Sequence, residues 1–251
     1  MIGAYRNNND INTTWEGDNT VLNQQTAKFI LDNFQKKMKG KDPTQNYKTL
    51  LFLNRLDGEG KPDIKSSSDL DKPEVLRHVF EQRIVFLLQK AVGKLATQVQ
   101  EKKDALLVAW NNSQVFYIQP MVKAFIENFV FNSFLEVIDK ITEQSTRNMM
   151  MKFLKLYSLT VFDSDWSLLR NDDFIDSDTV FLVKEEILSL CSELKNELIP
   201  ILDIISPDDE ILQAPMGRSD GRMWEAYLSK VFAFNRCFER PSWWESLHQT
   251  K

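Results

Sequence analysis

The most constraining feature of this sequence is a helical apolar stripe that begins at Pro73-Glu74. Val75, Leu76, Val79, Phe80, Ile84, Leu87, Leu88, Ala91, Leu95 and Val99 recur at three- and four-residue spacing. That spacing dictates a helix with one dry face, which other helices must cover. The rest of the chain supplies them. Ile118, Val122, Phe125, Ile126, Phe129, Phe134, Val137 and Ile141 repeat the pattern, as do Phe153, Leu154, Leu156, Tyr157 and Leu159. Val180, Leu182, Val183, Ile187, Leu188, Cys191 and Leu194 repeat it again. No run alternates with period two, which argues against a sheet. The fold class is therefore all-α: an antiparallel helical bundle of about four long helices with short extras, preceded by a detached helix that carries Val21 to Met38. A chain of 251 residues can bury such a core.

Local signals refine this outline. Met1 to Thr14 is polar and asparagine-rich and reads as a loop. Asp18 or Asn19 can cap the first helix, whose apolar positions are Val21, Leu22, Phe29, Ile30, Phe34 and Met38, with Gly40 as its stop. Lys36, Lys37 and Lys39 suit the C-terminal end of that helix rather than a targeting patch. Residues 41–72 read as a linker with Pro43, Asp57-Gly58-Glu59-Gly60 and Ser66-Ser67-Ser68, carrying a short helical anchor over Tyr47 to Leu56. The bundle then spans 73–235 and a tail 236–251. Gly93 suggests close approach of a neighbouring backbone, and Pro120 should kink its helix. His78 reads as a core-edge or surface histidine, and Cys191 as a buried small hydrophobe.

Composition excludes several classes. Hydrophobic residues make up 43% and charged residues 27%, an ordinary globular balance. The net charge of −5 arises from 31 basic and 36 acidic residues without a basic face, which argues against nucleic acid as a partner. Cys191 and Cys237 are too few for a disulfide framework or a zinc site. Asp163-Ser164-Asp165-Trp166-Ser167 opens like a calcium loop, but Leu168 and Phe174 stand where glycine and glutamate are needed, so no metal site is expected. The longest apolar runs, such as Ile84 to Leu88, are too short to span a bilayer.

One stretch places a carboxylate, a glycine and a helix start together: Thr14-Trp15-Glu16-Gly17-Asp18-Asn19-Thr20. Glu16 falls in the turn just before the helix, and Gly17 puts no side chain between it and an approaching group. On the residues alone, Glu16 and Asp18 also read as a solvated pair at a helix start.

The stretch Asn12-Thr13-Thr14-Trp15-Glu16-Gly17-Asp18-Asn19-Thr20-Val21-Leu22, with Gln24-Gln25-Thr26-Ala27, resembles the segment around the catalytic glutamate of the peroxisomal acyl-CoA oxidases. The preceding Arg6-Asn7-Asn8-Asn9-Asp10 is more similar to the branched-chain (pristanoyl) type. Ala109-Trp110-Asn111 with Gln114, and Gly217-Arg218-Ser219-Asp220-Gly221 before Tyr227, are similar to elements of that family's C-terminal domain. The resemblance implies a C-terminal portion of a FAD-dependent oxidase, with residues 1–40 a remnant of the flavin-side helical domain. It makes Glu16 the catalytic base, puts Gly17 and Asp18 beside the flavin, and makes Trp15 an apolar wall for the acyl-CoA substrate. It further implies a homodimer in the complete enzyme and a peroxisomal location, although Gln249-Thr250-Lys251 is not a Ser-Lys-Leu address. Without the flavin-binding domains the chain alone is expected to be colourless and inactive. The alternative is a non-catalytic helical module that retains a dimerisation surface.

Overall fold

Helices, turns and irregular connections account for every residue described by the structure, a computed structural model that covers residues 2–13, 15, 17–56, 58, 60–171, 174–212 and 214–248. In chain order the α-helices are α1 (Ile2–Asp10), α2 (Asn19–Met38), α3 (Pro73–Ala96), α4 (Leu106–Ser113), α5 (Gln119–Ile138), α6 (Gln144–Asp163), α7 (Trp166–Asn171), α8 (Ser177–Leu194), α9 (Leu198–Ile205), α10 (Asp209–Leu212), α11 (Met223–Phe232) and α12 (Trp244–His248). No strand occurs among the described residues, as the absence of period-two alternation predicts. The chain divides into two compact units, residues 12–195 and residues 1–11 with 196–251.

Within 12–195, α3 is the central helix. Pro73 occupies its first turn, where a missing amide costs nothing. Its N-terminal half places Leu76, Val79 and Phe80 in one apolar core with Phe131, Leu135 and Ile138 of α5 and Leu154, Leu159 and Phe162 of α6. Its C-terminal half places Ile84, Val85, Leu87, Leu88 and Ala91 in a second core with Met121, Val122, Ala124 and Phe125 of α5. The first half of α3 thus meets the second half of α5, and the pair runs antiparallel. Fully burying one side chain such as Phe80 contributes about 1.5–3 kcal/mol, so these two cores hold the unit together. Helix α6 closes on α5, and α8 on α6.

Where the two cores meet, α3 carries charge. Arg83, with a side chain only 1% exposed, donates through Nη1 to Glu127 of α5 and through Nη2 to Asp165 ahead of α7. Two residues earlier, Glu81 accepts from Arg55 Nε. Further out, Lys155 of α6 is buried between Asp71 (2.5 Å) and Glu186 of α8 (2.7 Å).

Several expectations meet a different structure. The first helix is not detached: α2 packs on α5 and buries Ala27 and Ile30 in the second core beside Leu50, Phe52 and Leu53. The physical reason lies in 41–72, where the segment Lys48–Arg55 forms a 3-10 helix whose apolar side chains cover that stripe. Met1 to Thr14 reads as a loop, yet Ile2–Asp10 is helical, against the weak propensity of Asn7, Asn8 and Asn9. A Cβ on Gly93 would meet nothing within 4 Å, so no neighbouring backbone approaches it. Cys191 is exposed, because the buried line of α8 is Thr179, Val183, Leu190 and Leu194 and passes one position to its side. The expected disturbance at Pro120 takes a specific form. The turn before it, Gln114–Ile118, widens to a π-helix, and α5 restarts with Pro120 in its first turn.

In the other unit, α9, α10 and α11 bury none of their described side chains. Its loop 214–222 is knitted from within. Arg218 pairs with Asp220, Asp220 Oδ1 accepts from the Arg222 amide (2.9 Å), and Asp209 accepts from the Ser219 amide (3.0 Å). Within this loop the Arg218 guanidinium is thus already engaged by a carboxylate.

Candidate functional site

The candidate site is the entry to α2. Asp18 is the N-cap: its Oδ1 accepts from the Thr20 amide at 2.8 Å, and its carbonyl accepts from the Val21 and Leu22 amides at 2.9 and 3.0 Å. Hydrogen bonding from Thr20, side chain first and backbone second, holds the Asp18 carboxyl below its ordinary range. A carboxylate stabilised in this way is a good cap and a poor base, since its proton affinity is spent on the helix. Gly17 adopts φ +108°, a conformation that favours glycine, and a Cβ there would sit 3.6 Å from Leu22. Trp15 is 67% exposed. Glu16 lies outside the described residues.

Three of the four residues singled out in the sequence therefore come together: an exposed indole, a glycine without a Cβ, and a capped helix start whose dipole favours negative charge. This ledge is open to solvent. Among the described residues no group of three His, Cys, Asp or Glu side chains could hold a metal ion.

What positions the ledge was not legible in the sequence. Asn23 donates to Gln119 Oε1 at 2.7 Å, and Gln119 Nε2 reaches the Thr20 carbonyl at 3.4 Å. Trp110 Nε1 donates to Gln24 Oε1 at 3.3 Å. The start of α2 is thus tied to the junction of α4 and α5 by side chains some 90 residues away (separations of 86, 96 and 99). Polar residues on the dry side of both helices were the available signal, and they became readable once their faces met.

The fold defines a class: the helical architecture of acyl-CoA oxidases. The chain superposes on acyl-CoA oxidase 1 of Yarrowia lipolytica with a TM-score of 0.80 at 20% identity, covering 94% of this chain and 34% of that one. It likewise superposes on acyl-CoA oxidase-1 of Caenorhabditis elegans, a structure complexed with FAD and ATP, with a TM-score of 0.75 at 19% identity and coverages of 96% and 34%. A model of the acyl-CoA oxidase family matches residues 72–251, and the chain belongs to that family. It is similar to human peroxisomal acyl-coenzyme A oxidase 3, with 28% identity over 255 residues, covering all of this chain and 36% of that protein. The chain spans about a third of the length of the curated relatives it matches.

Proposed function

We propose that this chain is the C-terminal part of a FAD-dependent acyl-CoA oxidase of fatty-acid β-oxidation, which converts acyl-CoA and oxygen to trans-2-enoyl-CoA and hydrogen peroxide. Glu16 is the base that takes the proton from the carbon next to the thioester carbonyl. Trp15 supplies an apolar wall that desolvates it and raises its proton affinity, which a base for so weak an acid needs. Gly17 and Asp18 lie against the flavin in the complete enzyme, where the absent Cβ permits close approach. Bound FAD supplies the hydride acceptor and the route to oxygen. A homodimer and a peroxisomal location belong to this reading, and several relatives carry peroxisomal names.

The observation that supports it most is the hydrogen bonding between two stretches that both resemble the oxidases: Gln24, just after the Glu16 segment, and Trp110 of the Ala109-Trp110-Asn111 element. The test is a chimera in which this chain replaces the equivalent C-terminal third of a complete acyl-CoA oxidase. The expected result is a yellow protein that releases hydrogen peroxide when acyl-CoA is added. A flavin-loaded chimera that binds acyl-CoA and produces none contradicts the proposal.

A further inference from the structure

On the outer side of the second core, the C-terminal half of α3 and Tyr117 of the π-turn Gln114–Ile118 line an open depression, a shallow cleft of about 460 Å³. Its cations are Lys90 and Lys94, one turn apart on α3. No acidic residue lines it, and among the described residues neither ammonium meets a carboxylate. Lysines without a carboxylate partner occur elsewhere, as at Lys102 and Lys103, so what distinguishes Lys90 and Lys94 is the shared depression they line. Each rests instead on an aromatic ring: Lys90 Nζ lies 5.0 Å from the centroid of Phe86, and Lys94 Nζ lies 5.4 Å from that of Tyr117. Such contacts limit the freedom of the long side chains, so that less is lost when an anion arrives. Between the lysines, on the cleft wall, is Gly93. A glycine inside a helix is unfavourable, and packing does not require this one, because a Cβ would face open space. A ligand approaching the helix backbone would use that space.

We propose that this cleft binds a phosphate-bearing ligand, with Lys90 and Lys94 neutralising the phosphate and Gly93 leaving room for it against α3. Gln89, Thr97 and Tyr117 also line the cleft and bring an amide and two hydroxyls for the remaining phosphate oxygens. Inorganic pyrophosphate and a sugar phosphate share this chemistry.

The test is calorimetric titration of the full chain with pyrophosphate and with glucose 6-phosphate at about 0.1 M salt, which screens diffuse charge attraction. The expected result is saturable binding of at least one of them with Kd at or below about 1 mM. Lys90→Gln with Lys94→Gln should weaken it by about tenfold or more, since two charge-assisted contacts are lost. Gly93→Leu should weaken it similarly by filling the space, with the helical circular dichroism signal retained. The control, Lys140→Gln with Lys184→Gln, removes the same charge elsewhere and should leave binding within about twofold. The ligand that binds more tightly distinguishes an inorganic from an organic source. Absence of saturable binding to either probe overturns the proposal, as does an equal loss in the control or full binding by the Gly93→Leu protein.

Discussion

Arg83 is a buried cation held between two carboxylates. Its side chain is nearly sealed, with Glu127 and Asp165 answering two of its nitrogens and Nε left without a partner. Arg83→Met should therefore destabilise unit 12–195 by about 3 kcal/mol, because it strands the carboxylate of Asp165 and leaves that of Glu127 only the more distant Lys123 at 3.6 Å. Denaturant unfolding measures this, and replacing Glu127 and Asp165 by leucine in the same background should restore much of the loss. His78 offers a second test. Burial, then the positive charge of Arg55, hold its imidazole below the ordinary value of 6.5, and its ring packs edge-on to Phe174 at 5.6 Å. The unfolded chain binds that proton more readily than the folded one. The His78 contribution is therefore present above pH 6.5 and is lost as pH falls from there toward the lowered folded value. The drop in Tm between about pH 7.5 and about pH 5.5 should be smaller in His78→Gln. An unchanged drop would place the titrating group elsewhere.

At the scale of the element, α2 and α3 show what could be read in advance. The apolar spacing of α3 located its core positions, but Glu81 and Arg83 on the same helix are buried too, because α3 is covered on several sides. Periodicity counts apolar side chains and has no term for a charge whose partners come from α5 and from the approach to α7. Helix α2 was legible as a helix, down to a cap at Asp18 or Asn19, of which the structure uses Asp18, and the Gly40 stop at φ +77°. Its docking was not, since the covering residues Leu50, Phe52 and Leu53 sit in a segment that reads as a linker. Two measurements follow. Amides of Ala27 to Asn33 should exchange slowly, and Ile30→Ala should cost about 2–5 kcal/mol as a cavity. Fast exchange there with a near-neutral Ile30→Ala would return α2 to the detached helix its sequence suggests. Gly93→Ala should stabilise α3 by about 0.5–1 kcal/mol, as nothing crowds the new methyl.

For the whole molecule, the contrast between the two units matters most. Residues 12–195 hold both apolar cores, whereas in 196–251 Ile204 is 82% and Phe238 86% exposed. Limited proteolysis should first cut C-terminal to Lys195 and leave 12–195 intact, and early cuts within α3 or α5 would contradict that. The candidate site shares this uneven legibility. Trp15, Gly17 and Asp18 stood out from their order in the chain, as did Gln24 and Trp110, while the pairing of Asn23 with Gln119 and of Gln24 with Trp110, which fixes the ledge, emerged only from the fold. If Glu16 is the base and Asp18 only the helix cap, Glu16→Gln and Asp18→Asn should part company in the chimeric oxidase. Glutamine keeps the reach of the side chain but cannot take the α-proton, so kcat for hydrogen peroxide production should fall by about 10²–10⁴-fold with FAD and acyl-CoA binding retained. Asp18→Asn, still a competent cap, should stay active. Substantial turnover by Glu16→Gln together with an inactive Asp18→Asn would contradict the assignment.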